Sequence, residues 1–237
     1  MIRRNHETDP LNTPVYGYSD VARYLGLPSS TVRSWVKGRI YSPGRRSFRP
    51  VIARPDDSLP LLSFTNLVEI HVLSSIRNIH RVSLQKVREA LEYIERSVSA
   101  DHPLATLDFL TCKKDLIVEA WGRLLSVSGS KGQVLLERVV EAYLERIERD
   151  GHGAAIRLYP FTRRAQDFVA AIDQPRLVVI DPRVSFGRPT IVGTGVPTTV
   201  LAERFKAGES IDDLSDDFGC PRESVEEAIR CEHVLAA

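Results

Sequence analysis

The chain has 237 residues, of which 43% are hydrophobic and 27% charged, an ordinary composition for a globular protein. This composition excludes collagen-like, disordered and disulfide-scaffold proteins. The three cysteines, Cys112, Cys220 and Cys231, are far apart and form no CxxC motif, so we expect a reducing, cytoplasmic compartment. We expect neither a signal peptide nor a membrane span, because the N-terminus is polar and every apolar run is short.

Charge is distributed unevenly along the chain. Residues 1–100 carry a net charge of +6, and residues 101–237 carry a net charge of −5. Seven cations and no carboxylate lie in 31–54, whereas nine carboxylates and two arginines lie in 209–232. A basic surface attracts phosphate and an acidic surface repels it. The two ends are therefore expected to bind different partners.

The first hundred residues predict a mostly helical unit. Residues 1–15 are polar and contain two prolines, which favours a flexible arm. Two short helices follow between Ser19, a suitable N-cap, and Lys37, with Gly26 ending the first helix. The glycines and prolines of 38–60 favour a wing or hairpin, and apolar spacing in 63–98 predicts two more helices, the second capped by Ser83.

The hydrophobic period changes after residue 100. Short apolar runs in 107–127 predict strands, and a long amphipathic helix is predicted over 134–149. Further strands are predicted over 156–159 and 177–180, and helices over 198–207, 210–218 and 222–234. The predicted fold class is α+β and mostly helical. We divide it into a flexible arm (1–15), a winged helix-turn-helix DNA-binding domain (16–100), a central small α+β segment for dimerisation or linkage (101–170), and a C-terminal helical, helix-turn-helix-like domain preceded by short strands (171–237).

An internal repeat relates the two ends of the chain at an offset of 193 residues. Residues 21–36 match residues 214–229 in their apolar positions and in a shared glycine, proline and hydroxyl residue. A small residue lets two helices approach, the glycine permits a tight turn, and the proline starts the second helix. The pattern predicts a helix-turn-helix at both ends.

The two copies differ in charge where the second helix is expected to be exposed. Ser30, Arg33 and Ser34 correspond to Glu223, Glu226 and Glu227. Glutamates facing a polyanion would lose hydration without gaining a partner, so only the first copy is expected to bind DNA. Trp35, by its apolar phase, is predicted to be core. The predicted DNA contacts are Ser30, Thr31, Arg33, Ser34, Lys37, Arg39, Arg45, Arg46 and Arg49.

Residues 16–97 resemble the winged helix-turn-helix of MerR-like regulators. The likeness is carried by the segment 18–35, by Leu62, Phe64 and Leu67, and by the helical pattern of 82–91. It implies binding of double-stranded operator DNA. The long dimer helix and the downstream cysteine sensor of effector-sensing members are not visible in this sequence.

The C-terminal segment resembles a small antitoxin domain found beside PIN-like nuclease toxins. Ile180-Asp181-Pro182, the run from Gly187 to Thr194, and Val196-Pro197 carry the likeness, although Gly195 stands where the family usually has arginine, and Phe218-Gly219 where it often has Tyr-Pro. The whole chain then resembles a VapB-type antitoxin of a type II toxin–antitoxin pair. The resemblance implies a nuclease toxin as partner. We predict its contacts to be Ile191, Val196, Phe205, Glu223, Glu226 and Glu227.

Enzyme chemistry finds little support. The six histidines have no metal-ligand spacing, and a solvated or partner-facing acidic surface explains Asp212, Asp213, Asp216 and Asp217 better than a magnesium site does. The glycines of residues 187–195 predict successive turns rather than a phosphate-binding loop. No Gly-Lys-Ser/Thr follows them, and the prolines between them lack the N–H donors that a phosphate needs. We expect no cofactor, no metal and no enzymatic activity.

Two main functions are compatible with these features. The first is an antitoxin that neutralises a PIN-like ribonuclease and represses its own operator as a homodimer, with 84–97 and 134–149 as candidate dimer surfaces. The alternative is a MerR-like transcription regulator whose central segment, 101–165, senses a small ligand. A third, weaker possibility is a metal enzyme with an acidic site.

Overall fold

The structure, a computed structural model, describes residues 9–38, 50–79, 88–89, 92, 102–106, 130–163 and 174–236. In chain order the elements are β1 (Tyr16–Gly17), α1 (Tyr18–Tyr24), α2 (Ser29–Lys37), β2 (Leu61–Leu62), α3 (Phe64–Ile79), α4 (Pro103–Thr106), α5 (Ser130–Leu144), β3 (Ile147–Arg149), β4 (Ala155–Leu158), β5 (Val178–Ile180), β6 (Pro189–Ile191), α6 (Thr198–Lys206), α7 (Ile211–Phe218) and α8 (Arg222–Ala236).

Two antiparallel sheets tie these elements together. β1 pairs with β2, with Tyr16 opposite Leu62, and this joins the start of α1 to the start of α3. The larger sheet has the strand order β3-β4-β5-β6, and Leu158 lies opposite Ile180 at its centre. Helices and small sheets thus share one chain, and the predicted α+β fold class is confirmed.

The predicted helix over 134–149 is wrong at its C-terminal end. α5 ends at Leu144, and Ile147–Arg149 forms β3, which pairs with β4. The turn between these strands is fixed by Asp150, whose carboxylate accepts hydrogen bonds from the backbone N–H groups of His152 and Ala154, both at 2.9 Å. Ile147 is buried and fits an apolar helix face as well as it fits a strand.

Buried apolar side chains form two clusters. The larger one contains Val21 and Trp35 of the helix-turn-helix, continues through Leu67 and Leu158, and extends to Ile180. Trp35 was predicted to be core, and this is confirmed. The smaller cluster lies in the C-terminal part and consists of Ile191, Leu201, Leu214, Cys220, Val225, Ala228 and Ile229.

The internal repeat is preserved in the backbone. Gly26 and Gly219 both have positive φ angles, 62° and 58°, in the turn that separates the two helices of each unit. Matching hydrogen bonds follow each glycine, from Leu27 N–H to Ala22 O at 2.8 Å and from Cys220 N–H to Ser215 O at 3.1 Å. The second unit, α7 and α8, therefore has the same turn as α1 and α2, as the sequence repeat predicted.

Some predicted features lie outside the described residues. These are the strands in 107–127, most of the helix after Ser83, residues 39–49 of the wing, and the domain boundaries near residues 100 and 170. Residues 11–15, placed in the predicted arm, are hydrogen-bonded in the structure: Val15 N–H donates to Leu62 O, and Thr65 N–H donates to Leu11 O, both at 3.0 Å. Among the described helices, none is both long and apolar enough to cross a membrane.

Candidate DNA-binding and protein-binding surfaces

α1 and α2 form a helix-turn-helix whose geometry follows from local sequence. Asp20, rather than the predicted cap Ser19, fixes the start of α1, because its carboxylate accepts a hydrogen bond from the Gly17 N–H at 3.1 Å. Pro28 is the N-cap of α2, with φ −61°, and its carbonyl accepts the N–H of Thr31 at 2.8 Å. Proline suits this position because its fixed φ is compatible with entry into a helix.

One face of α2 is exposed and carries hydroxyl and cationic groups. Ser30, Arg33 and Lys37 are exposed at i, i+3 and i+7, a spacing that puts them on one side of the helix, and Thr31 beside them is half-buried. The Lys37 ammonium lies 5.4 Å from the centre of the Tyr18 ring. Such a face can offer an arginine to a base edge and a lysine to a phosphate.

Ser34 does not belong to this face. The residue is 7% exposed, and its hydroxyl donates to the Thr31 carbonyl at 2.8 Å. It lies on the buried side of α2 together with Val32 and Trp35. The predicted DNA contact of Ser34 is therefore wrong.

The described residues on either side of 39–49 are both held at the C-terminus of α2. Gly38 follows the helix with φ 73°, and the N–H groups of Val51 and Ile52 both donate to Trp35 O, at 2.7 and 3.1 Å. Gly38 and Val51 therefore both lie next to the last turn of α2. The predicted phosphate contacts Arg39, Arg45, Arg46 and Arg49 lie outside the described residues.

Arginines neutralise part of the acidic C-terminal surface. Two of them each bridge two carboxylates: Arg204 with Glu209 and Asp217, and Arg222 with Asp212 and Glu226. Glu226 is half-buried in its pair with Arg222, whereas Glu223 is exposed. Each exposed pair adds little to stability, about 0–1 kcal/mol. They tie four of the acidic side chains of this surface, Glu209, Asp212, Asp217 and Glu226, to arginines.

Glu227, predicted to be exposed, is completely buried. Its carboxylate accepts hydrogen bonds from Thr162 and from Arg163, the latter at 2.7 Å, and pairs with Arg230. Burial raises the pKa of the Glu227 carboxyl, but the bonds from Arg163 and Thr162 outweigh it and hold that pKa below its usual value. Glu227 thus fastens α8 to the segment after β4, and its predicted toxin contact is wrong.

The apolar residues predicted to contact a toxin are divided by the structure. Ile191 is buried in the C-terminal cluster, so its predicted contact is also wrong. Val196 is half-buried and packs against the same cluster. Phe205 is 36% exposed on α6. The predicted set therefore does not form one continuous surface.

An exposed aromatic residue in the C-terminal part was missed by the sequence reasoning. Phe186 is 88% exposed, the highest value among the large hydrophobic residues that the structure describes. Ser185, Phe186 and Gly187 have consecutive positive φ angles of 48°, 57° and 72°. Left-handed backbone costs roughly 1–2 kcal/mol at each non-glycine residue, so this turn is strained. The signal available in the sequence was an aromatic residue set among turn-forming residues.

The C-terminal part packs directly against the helix-turn-helix. Arg23 of α1 pairs with Glu232 of α8 at 2.7 Å, and Glu232 also accepts the Thr198 hydroxyl at 2.6 Å. A Cβ added at Gly187 would lie 1.9 Å from the Tyr16 hydroxyl oxygen. Only glycine permits this approach between β1 and the turn that carries Phe186.

The described residues offer no sign of metal or thiol chemistry. Within them, no three histidine, cysteine or carboxylate side chains are grouped as a metal site requires. Burial raises the pKa of the Cys231 thiol to about 12, so it stays protonated at neutral pH. Cys220 fills a small core position of the repeat, where the first copy has Leu27.

Comparison with known families separates the same two ends. Residues 14–91 match a family described as "Putative DNA-binding HTH domain". The chain carries a helix-turn-helix domain. Residues 178–230 match a second family, described as "Protein of unknown function (DUF433)".

Relatives in Mycobacterium tuberculosis match nearly the whole chain. "Uncharacterized protein Rv2308" is 28% identical over 229 residues, which cover 94% of this chain and 91% of the relative. "Putative antitoxin VapB45" is 26% identical over 239 residues, which cover 92% of this chain and 93% of the relative. The crystal structure of Rv2018 from the same organism has a TM-score of 0.64 at 23% identity, covering 92% of this chain and 99% of that one. The structural likeness to Rv2018 shows a shared fold.

Proposed function

We propose that this protein is a DNA-binding antitoxin. Its helix-turn-helix binds the operator of its own gene, and its C-terminal part binds and neutralises a ribonuclease toxin of the PIN-like class. The observation that carries the proposal is the similarity, over 92% of the chain, to a relative named as a putative antitoxin. The family matched by residues 14–91 supports the DNA-binding half.

The exposed face of α2 supports operator binding by this domain. Ser30, Arg33 and Lys37 are accessible on one side of a helix that is held firmly by Trp35 in the core. In helix-turn-helix proteins the second helix enters the major groove and its N-terminal residues contact the bases. We propose Arg33 as the base contact and Lys37 as a phosphate contact.

We also propose an oligomeric state and a cellular compartment for this protein. The protein acts as a homodimeric autorepressor, because two-fold operators match two-fold proteins. It works in the cytoplasm, where operator and toxin are both found, and it has no catalytic activity of its own.

Two assays test the proposal together. The product of the adjacent reading frame is expressed alone and with this chain, and growth is followed. DNA from upstream of the gene is titrated with the purified chain in a gel-shift assay at fixed salt. We expect growth arrest that this chain relieves, and specific binding to the upstream DNA. DNA binding without relief of toxicity would contradict the antitoxin function and favour a transcription regulator instead.

A further inference from the structure

The exposed Phe186 ring is presented on a fixed support. The Gly187 N–H donates to Val184 O at 2.9 Å, the Arg188 N–H donates to Ser185 O at 3.2 Å, and the Ser185 hydroxyl donates to Gly195 O at 3.0 Å. The Tyr16 side chain fills the space beside Gly187 and packs against the turn. A backbone that is already fixed loses little conformational freedom when the side chain that it presents binds a partner. The hydrogen-bonded turn thus presents one exposed aromatic ring on a fixed backbone.

The charge around this ring differs from that of the rest of the C-terminal part. Arg183 and Arg188 are exposed on either side of Phe186, and no carboxylate occurs in residues 182–202. Residues 174–236 as a whole carry seven Lys or Arg and eleven Asp or Glu, a net charge of −4. The cations are therefore concentrated locally, on a part of the chain that is anionic overall.

This combination fits a protein partner better than a nucleic acid. Aromatic residues and arginine are enriched at the centres of protein interfaces, where a ring fills an apolar pocket. A polyanion could stack on Phe186, but it would also meet the net negative charge of the surrounding C-terminal part. The complementary surface is an apolar pocket edged by carboxylates.

We propose that the Phe186 turn, residues 183–188, is the anchor by which this protein holds its toxin. This inference rests on the proposed antitoxin function, and it replaces the acidic surface of α7 and α8 as the main contact. Phe186 enters an apolar pocket of the toxin, and Arg183 and Arg188 face carboxylates at the edge of that pocket.

The first experiment compares two exposed apolar side chains. Phe186→Ala and the control Val200→Ala, which alters an exposed residue of α6, are each co-expressed with the product of the adjacent reading frame, and the affinity of each purified pair is measured by biolayer interferometry. We expect roughly 30-fold weaker binding for Phe186→Ala, as for a hot-spot aromatic residue, and a change of about twofold or less for Val200→Ala. Phe186→Tyr should retain binding. Thermal unfolding and operator binding by Phe186→Ala should match those of the unaltered chain.

The second experiment tests the charges. The double variant Arg183→Glu/Arg188→Glu should associate with the toxin more slowly, and the association rate of the unaltered chain should fall as salt rises. Unchanged association of the double variant at low salt would overturn the part of the inference that assigns carboxylates to the pocket edge.

The outcomes separate this inference from the proposed function. If the unaltered chain does not bind the adjacent product, the antitoxin function fails and the inference fails with it. If the unaltered chain binds and Phe186→Ala binds equally well, the inference alone is wrong. A dimer that dissociates in Phe186→Ala while toxin binding persists would place the ring on a second copy of this chain. If Phe186→Ala binds toxin normally but loses binding to a uridine oligonucleotide, the ring contacts nucleic acid. Either of these last two results overturns the inference.

Discussion

Glu227 joins α8 to the segment after β4 through the side chains of Thr162, Arg163 and Arg230. Glu227→Ala removes the carboxylate that all three side chains share, and the buried Thr162 hydroxyl loses the acceptor of its hydrogen bond. Both arginines are 44% exposed and can be solvated. We therefore expect a loss of roughly 1–3 kcal/mol in the free energy of unfolding, less than for a fully buried ion pair.

Glu226 supplies the matched control for this change. Glu226→Ala removes only the exposed pair with Arg222, so we expect it to cost about 0–1 kcal/mol. Urea unfolding of both variants at pH 7 measures the difference. The pKa of Glu227 is lowered by its partners, so its contribution is present at neutral pH and is lost as pH falls through the folded-state pKa. Equal stabilities of the two variants at pH 7 would contradict this role.

Arg33 is the residue on which the DNA-binding half of the proposal depends. It is exposed on α2 between Ser30 and Lys37. Arg33→Ala should weaken operator binding by roughly 5- to 150-fold, because one good arginine contact discriminates by about 1–3 kcal/mol. The thermal midpoint should not change. Arg176→Ala, which removes an exposed arginine outside the helix-turn-helix, should bind operator like the unaltered chain, and a gel-shift titration compares the two.

The residues that sequence reasoning placed correctly are those whose surroundings are local. Gly26 and Pro28 define the helix-turn-helix within a few positions, and the same spacing found its second copy. Glu227 was misplaced because its partner Arg163 is 64 positions away, and no local pattern indicates the pairing. Phe186 was missed because its neighbours fix the turn through other parts of the chain: Ser185 donates to Gly195 O, ten positions on, and Gly187 lies against Tyr16, near the start of the chain.

At the scale of elements, α3 is fastened to the end of α5 by a buried histidine. His71 Nε2 lies 3.0 Å from the Tyr143 carbonyl oxygen, so the neutral ring carries its proton on Nε2 and donates it there. The rings of Tyr143 and Phe161 lie 4.9 and 5.8 Å from the imidazole, centre to centre. Burial lowers the pKa of His71 to about 4, with the nearby charge of Arg146 acting in the same direction.

This burial makes stability depend on pH. In the unfolded chain His71 takes up a proton near its ordinary pKa of about 6.5, whereas the folded chain resists protonation down to about 4. Stability should therefore fall as pH drops from 6.5 to 4, by a total of about 3 kcal/mol from this group, and should level off below that range. Urea unfolding at several pH values measures the slope.

Two variants isolate the contribution of His71. His71→Gln keeps a hydrogen-bond donor and cannot titrate, so its stability should vary less with pH than that of the unaltered chain. His152→Gln, which alters an exposed histidine in the turn after β3, should leave the slope unchanged. A slope that persists in His71→Gln would show that another group causes it.

The end of α5 shows where sequence periodicity reaches its limit. Val139, Ala142 and Ile147 are all buried, as the predicted helix required. Ile147 is nevertheless in β3, because the Asp150 turn reverses the chain and lets β4 pair with it. An apolar residue near an element boundary satisfies a helix and a strand equally, and long-range pairing decides between them.

At the scale of the whole molecule, the described residues of the helix-turn-helix and of the C-terminal part are in direct contact. Arg23 pairs with Glu232, and Tyr16 packs against Gly187. Tyr16 and Ile180 also belong to the same buried cluster. A partner bound at the Phe186 turn would therefore contact a segment that packs directly against β1, and β1 leads straight into α1.

The cost of crowding Tyr16 at Gly187 can be measured by comparison with a glycine that has a similar positive φ but open surroundings. Gly219 has φ 58° with no atom within 4 Å of an added Cβ, whereas Gly187 has φ 72° and the Tyr16 hydroxyl oxygen at 1.9 Å. Gly219→Ala should cost about 1–2 kcal/mol from the left-handed backbone alone. Gly187→Ala should cost that amount and a further 1–3 kcal/mol or so, because the clash forces Tyr16 to move. Tyr16→Phe in the Gly187→Ala background should recover part of this loss, since it deletes the nearest atom. Equal costs for the two alanine variants in urea unfolding would show that β1 and the Phe186 turn are not in contact.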